Sequence, residues 1–442
     1  MKNSTKPILL VICYPLDWHW ALSIEYLNYE LQGKSQIEVL DASFAGEKNL
    51  RNLLKKFFGG SKLQKETKKK WKSYGIKNVK SYKTKWLYQD RQILLKGKCG
   101  LLDSTIAGPI FNSIVEKTGS LNVEIEKNIK IIRNEICAYK SMQAILTAID
   151  ISNYSKVVTV NGRFTKNATV VEWARKQMIK TELVEFGASP NKLEVFEKSP
   201  HSISEIESKI QRLWISSNSE ERLKLGNKFL NDLLNFSGNS LIDWRKAMVL
   251  GKSPVKGKKK ICTFFASTEA EYAGGIGDII PDNNFKNQLE AFRALVRSLD
   301  DEVWDIYLRR HPVNPKSTVR DPEAFLWKEF DNSKIIVVDP FSDIDSISLG
   351  EKSDLIANFS SIIAMELFAR GKQNVITLGP APWNQLLPSK FLPNHQKLIK
   401  YLKSEPIDTE IASILPWAYY MSTHGKDFKL LKFDNQKPKW SY

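Results

Sequence analysis

The stretch 354–383, DLIANFSSIIAMELFARGKQNVITLGPAPW, constrains the fold of this chain more than any other. Leu355, Ile356 and Ala357 form an apolar run too short for a helix and suited to a buried parallel strand. Asn358, Ser360 and Ser361 follow with helix N-cap chemistry. Ile362, Ile363, Met365, Leu367 and Phe368 keep the next helix packed, and Gly371 ends it. A second strand at 374–378 runs into the turn Gly379-Pro380-Ala381-Pro382. Strand, helix, strand is the unit of an α/β sheet, and free backbone N–H groups at such a helix start favour a phosphate. Glu366 sits deeper in the same helix, where a carboxylate can accept hydrogen bonds from ribose hydroxyls. An ordinary capped helix with a solvent-facing glutamate has the same signature, so this stretch alone leaves both readings open.

At 442 residues the chain is too long for one ordinary core, and two α/β domains are expected. A hydrophobic content of 42% with 12 tryptophans excludes a largely disordered chain. The four cysteines, Cys13, Cys99, Cys137 and Cys262, lie far apart and are expected as buried free thiols of a cytosolic protein. Neither they nor the five histidines have metal-ligand spacing. The N-terminal apolar run meets Pro15 and Asp17 at once and offers no small-residue cleavage site, so it reads as a strand rather than a signal peptide. No run approaches the roughly 20 apolar residues of a membrane helix, and a soluble or peripheral protein is expected.

In chain order, 8–14 is a strand, PLDWHW a loop, 21–31 a helix and 37–40 a second strand. This βαβ start fits a doubly wound sheet, whose ligand sites lie at the carboxyl ends of the strands. Asp17 and His19 in the first such loop are therefore candidate general bases; a helix-capping Asp17 and a surface His19 are the plain alternative. Helices at 121–149, in two pieces, and at 168–180 flank a strand at 157–160. After that strand Asn161 and Gly162 make a turn and Arg163 projects, so Asn161 and Arg163 are candidates for binding an anionic substrate. An Arg163 simply paired to Glu185, on the next strand, is the alternative. Residues 203–250 are helical, and 251–260, rich in Gly, Pro and Lys, reads as a linker between domains 1–250 and 261–442. The last helices are candidates to cross back onto the first domain.

The pattern restarts with strands at 261–266, 304–308 and 335–338, and helices at 285–299 and 344–349. Residues 267–283 form a long loop whose GGIGD lacks dinucleotide-motif spacing. Residues 51–98 stand apart: 16 Lys or Arg against Glu66 and Asp90 give +14 of the chain's +17. Phe57, Phe58, Trp71, Tyr74, Tyr82, Trp86 and Tyr88 are interleaved with them. Such an insertion suits anionic lipid headgroups or a lipid-linked anionic acceptor. Nucleic-acid binding is the second reading, without a supporting motif, and a solvated insertion with no partner the third.

Three features converge at one sheet end: Ser267 with its loop, Arg309-Arg310-His311-Pro312, and Ser360-Ser361 with Glu366. The convergence resembles the nucleotide-sugar half of a GT-B glycosyltransferase, an α/β fold of two Rossmann-like doubly wound domains facing across a cleft. More closely, the chain resembles the bacterial capsule polysaccharide biosynthesis family through NGRF at 161–164, Glu185 with Gly187, STEAE at 267–271, RRHP at 309–312 and SSIIAMELFARGK at 360–372. RRHP with the serine pair is similar to the Lys-x-His-Pro element of bacterial sialyltransferases and related CMP-sugar-using transferases.

The resemblance implies that Arg309, His311, Ser360, Ser361, Glu366 and Ser267 hold the donor nucleotide, with a CMP-sugar favoured. It implies a polysaccharide or lipid-linked glycan acceptor in capsule or lipopolysaccharide synthesis, on the inner face of the plasma membrane. It implies no Rossmann-bound NAD or other cofactor and no essential metal; no nucleic acid is expected as a partner, because no binding motif accompanies the basic insertion. Arg309 replaces the family's Lys, which leaves the base preference open. Asp17, His19 and Glu271 are the candidates for the acid–base chemistry. A non-hydrolysing sugar-nucleotide epimerase and a non-catalytic polysaccharide assembly protein remain as alternatives.

Overall fold

The computed structural model describes residues 6–33, 35–43, 45, 61–74, 76–78, 104–118, 125–235, 248–255, 258–268, 284–312, 324–331, 333–405, 407–434 and 439–441. The candidate Glu271, its neighbours Glu269 and Asp278, most of the basic insertion and Cys99 lie outside them.

The first sheet grows from apolar pentapeptides. β1 (Ile8–Ile12) is buried on both faces, and β2 (Ile37–Asp41) pairs with it in parallel through α1 (Asp17–Gln32). α2 (Lys62–Ser73) leads to the short β3 (Lys77–Asn78), parallel to β2. Helices α3 (Ser104–Thr118) and α4 (Ile125–Thr147) precede β4 (Lys156–Val160). The two helices expected over 121–149 are thus one unbroken helix, because no Gly or Pro interrupts its apolar stripe. α5 (Thr165–Lys176) connects β4 to the parallel β5 (Lys180–Phe186), and β6 (Lys192–Phe196) turns back antiparallel. These strands lie in the order β6-β5-β4-β1-β2-β3.

Helices α6 (Ile203–Ser216) and α7 (Ser219–Leu234) bridge to the second sheet. There β7 (Lys260–Phe265), α8 (Gln288–Ser298), β8 (Trp304–Arg309), the one-turn α9 (Ala324–Trp327), β9 (Ile336–Val338) and α10 (Ser346–Glu351) follow in order. β10 (Leu355–Asn358), α11 (Ile363–Ala369), β11 (Val375–Thr377) and α12 (His395–Leu402) complete it. All pairs are parallel, in the order β11-β10-β7-β8-β9. The two parallel cores therefore have the same topology, a central first strand with the order reversing on either side of it. This is the α/β fold of two Rossmann-like doubly wound domains facing across a cleft.

The chain then returns. α13 (Leu415–Thr423) packs against α6 and α7, and β12 (Lys426–Asp427) joins the first sheet beside β6. The hairpin β13 (Lys432–Asp434) and β14 (Lys439–Ser441) closes the segment. Glu25, buried in α1, accepts three backbone N–H bonds from Lys429, Leu430 and Leu431, at 2.8, 2.8 and 2.6 Å. A single hydrophobic cluster joins Ile210, Leu230 and Leu233 of α6 and α7 to Ile356, Met365 and Trp417. Among the described residues no helix is long and apolar enough to cross a membrane.

Candidate functional site

In the second domain the strand order reverses between β7 and β10, which opens a crevice at their carboxyl ends. Ser267 and Ser360 meet there: the Ser360 N–H donates to Ser267 Oγ at 3.0 Å. Gln288 holds Ser267 in turn, accepting its N–H and donating to its carbonyl. The buried Asn358 accepts the Ser361 N–H at 3.0 Å and donates to Ile376 O at 2.9 Å. The helix itself starts only at Ile363, with Ile362 at the N-cap position. The expectation of free N–H groups on the serine pair is thereby corrected. Both are used to fix the turn, and Ser267 and Ser360 act as its frame.

A cavity of about 110 Å³ lies against this turn, lined by Arg309, Arg310, His311, Ser361, Ile362 and Glu366 among others. The structure thus brings four of the expected nucleotide residues to one wall. Arg309 is placed differently from the expectation. It is 1% exposed, and its guanidinium donates to Ser346 Oγ at 3.0 Å, Asp339 O at 2.7 Å and Ile344 O at 3.4 Å. Burial pulls it down to about 10 against the opposing fields of Asp339 and Asp345. It braces the loop behind the cavity, and its neighbour Arg310 supplies a second cation to the lining. Burial, followed by the Arg309 charge, lowers His311 and keeps its imidazole neutral. Glu366 is 6% exposed, so it is not the solvent-facing glutamate of the plain alternative.

A larger cavity of about 1570 Å³ runs between the domains, and Ile362 lines both. It covers the switch point of the first sheet, between β1 and β4. Asn161 and Gly162 both take positive φ there, 63° and 82°, as an Asn-Gly turn allows. That turn aims Arg163 into the cavity, with its N–H on Asn161 Oδ1 at 3.0 Å and Nη1 3.5 Å from His201 Nε2. Burial, helped by Arg163, pulls His201 down to about 4.

Residues 17–20 are helix, not loop, because Asp17 favours the first turn electrostatically. Asp17 is exposed, accepts from Ser61 Oγ at 2.6 Å, and is absent from the cavity lining. His19 is fully buried on that lining, and burial with the Lys166 charge pulls it down to about 3. Such an imidazole stays neutral and is a weak base.

Among the described residues two carboxylates line the cleft, Glu135 and Glu185. Glu135 is taken by Lys117 and by the Thr165 hydroxyl at 2.6 Å. Glu185, named by sequence as a motif residue and as a partner for Arg163, is the candidate left for proton transfer. Asn161 Nδ2 donates to its Oε2 at 2.6 Å and the Phe186 N–H to its Oε1 at 3.0 Å. Burial nevertheless holds its pKa above the ordinary value, against those bonds and the Arg163 charge. The available signal was a carboxylate at the carboxyl end of a strand, where an α/β sheet gathers its ligand-facing groups. Among the described residues no cluster of three or more His, Cys, Asp or Glu is arranged to hold a metal ion. Cys13, Cys137 and Cys262 are buried free thiols.

No protein-family model matches the chain, and no curated protein matches it. Solved structures resemble it at low identity. KpsC of Thermosulfurimonas dismutans, a beta Kdo 2,4 transferase, is 13% identical at a TM-score of 0.40, over 61% of this chain and 80% of that one. The UDP-GlcNAc 2-epimerase of Methanocaldococcus jannaschii in complex with UDP-GlcNAc and UDP is 11% identical at 0.29, over 92% and 96%. CalG4, the calicheamicin glycosyltransferase, is 11% identical at 0.24, over 94% and 93%. At these scores the likeness carries no argument about activity, and the fold class rests on the two sheets themselves.

Proposed function

We propose that the chain is a glycosyltransferase that moves a sugar from a nucleotide-sugar donor to a saccharide acceptor. The observation that carries this reading is the meeting of the two cavities at Ile362. One is a small pocket whose largely apolar wall carries Arg310, His311, Ser361 and Glu366; the other is a large cleft with Glu185 on its wall. The acceptor hydroxyl would attack the anomeric carbon while Glu185 takes its proton. The bond from that carbon to the nucleotide phosphate breaks, and the phosphate leaves with the negative charge. Arg310, the His311 N–H and the Ser361 hydroxyl, fixed in advance by their frame, would stabilise that charge without a metal. Glu366 is assigned to the ribose.

The pocket of about 110 Å³ has room only for the phosphate end of the donor, so the rest of the donor extends into the cleft. The cleft still favours transfer over epimerisation, because about 1570 Å³ exceeds the roughly 300–1,000 Å³ of a single small-ligand site and leaves room for an acceptor. The family resemblance favours a CMP-sugar donor and a surface-polysaccharide or lipid-linked acceptor at the inner membrane face. Calorimetric titration with CMP, CDP and UDP tests the donor pocket. Wild type is expected to bind at least one, and His311→Ala and Arg310→Ala to weaken it. A sugar-nucleotide panel with and without acceptor glycans then tests the reaction: transfer only with acceptor is expected. Epimerisation without acceptor, or binding to none of the nucleotides, overturns the reading.

A further inference from the structure

His19 is 0% exposed as a residue, yet it lines the large cavity, and neither Nδ1 nor Nε2 has a hydrogen-bond partner. Burying two unmet polar nitrogens is unfavourable, and a ligand that meets either lowers that cost. Aromatic rings surround the imidazole. Trp18 lies 4.0 Å away between ring centroids and Tyr14 5.2 Å. Trp18 continues to Phe186 at 6.2 Å, and Phe186 stacks on Trp440 at 5.3 Å with only 5° between the planes. Trp440 Nε1 donates to Pro190 O at 3.0 Å, which fixes that ring. All of these rings line the cavity.

We propose that His19, Trp18, Phe186 and Trp440 form a subsite for a pyranose ring of the acceptor, an assignment that rests on the transferase reading above. A neutral imidazole has one donor and one acceptor nitrogen, and a sugar hydroxyl, which both donates and accepts, can meet either of them. Phe186 and Trp440 cover one face of each other, and the apolar wall they present together with Trp18, already held in place, suits the C–H face of the same ring. An acyl chain would cover the aromatics and leave both nitrogens unmet. An anion would find on His19 itself one donor rather than a charge, because burial, helped by the Lys166 charge, keeps the imidazole neutral.

Ligand-observed saturation-transfer NMR on the full chain tests the subsite. The probes are methyl pyranosides of glucose, galactose and N-acetylglucosamine, with maltotetraose, cellotetraose and octyl glucoside. At least one sugar should receive saturation from wild type. His19→Phe, which keeps aromatic bulk, should weaken its binding about tenfold, the scale of one or two lost hydrogen bonds. Trp440→Ala removes a partly buried ring at the edge of the first domain's core, so its denaturation midpoint is read beside its binding, and weaker binding with an intact fold is expected. No saturation of any sugar, or undiminished binding by both variants, overturns the proposal. So does a preference for octyl glucoside that ignores His19→Phe, which would assign the site to an alkyl chain. CMP, CDP and UDP titrated in parallel separate the two claims. Nucleotide binding without sugar binding rejects the subsite alone. His19-dependent sugar binding without nucleotide binding supports the saccharide site and rejects the transferase.

Discussion

Glu185 and Glu194 lie directly opposite each other on the antiparallel strands β5 and β6, so two carboxylates share one face of the sheet beside the cleft. Their surroundings drive them apart. Burial raises Glu185, which has only Asn161, its own strand's Phe186 N–H and the Arg163 field to oppose it. Burial also acts on Glu194, but the His424 hydrogen bond at 2.9 Å and the Lys209 ion pair outweigh it and leave that group lowered. A pair tuned in opposite directions is how one site separates a proton-transfer group from a structural charge.

Glu185→Gln should therefore lower transfer by roughly 10²–10⁴-fold while nucleotide affinity is unchanged. The base must be ionised, and its pKa is raised, so kcat/KM should rise with pH through a limb above the ordinary carboxylate range. A pH–rate profile checks this. Wild-type turnover in the variant, or an acid limb at or below the ordinary value, would transfer the role to another group.

The lowered Glu194 makes the opposite prediction for stability. A carboxylate depressed by folding contributes stability above its unfolded pKa, and that contribution is lost as pH falls through the lower, folded value. Its partner His424 stands at the start of the returning segment and Lys209 on α6, so acid should loosen the docking of that segment first. Hydrogen exchange over 424–434 should rise between ordinary carboxylate pH and more acid pH. Glu194→Gln should remove most of that pH dependence; an unaltered acid response would contradict the assignment.

Gly187 tests the same docking sterically. A Cβ there would stand 2.5 Å from His424 O and 3.0 Å from the Gly425 Cα, both backbone atoms that cannot rotate away. Gly187→Ala should cost about 1–3 kcal/mol, the usual range for overpacking. A denaturant midpoint equal to wild type would show that the segment moves aside freely.

The strands carrying both crevices were legible because each is a short apolar run that stops at a turn: Ile8–Ile12 before Tyr14-Pro15, Lys156–Val160 before Asn161-Gly162, Leu355–Asn358 before the serines. What failed depended on distant partners. Pro15 and Asp17 look like a turn, yet α1 begins at Asp17 and buries Trp20 against Trp71 of α2, 5.3 Å apart. Ser360 reads as a cap, but its N–H is taken by Ser267, 93 residues away in sequence. Arg309 reads as a donor contact until Asp339 and Ile344 are seen to occupy its guanidinium. Glu185 gains its character from burial and from facing β6, a register that no local pattern states.

The basic insertion gives the last prediction, for which α2 is the described part. Leu63 and Trp71 are buried on its inner face, and Lys68 pairs with Asp41 at 2.7 Å. Trp71 is therefore core, not one of the aromatics offered to a surface. Lys62, Lys65 and Lys69 stay exposed on the outer face. The remaining charge of 79–98 lies outside the described residues, so α2 is where a membrane role can be probed by design. Each lysine near an anionic leaflet contributes about 1 kcal/mol, screened over roughly 10 Å at 0.1 M salt. The protein should co-sediment with anionic liposomes and not with neutral ones, and binding should fall steeply as salt rises. Replacing Lys62, Lys65 and Lys69 together by glutamate should weaken it by at least the three lysine contributions, with Leu63 and Trp71 left to hold the helix in place. Equal sedimentation with neutral and anionic vesicles, or a triple variant that binds like wild type, would remove the electrostatic basis for docking through this helix.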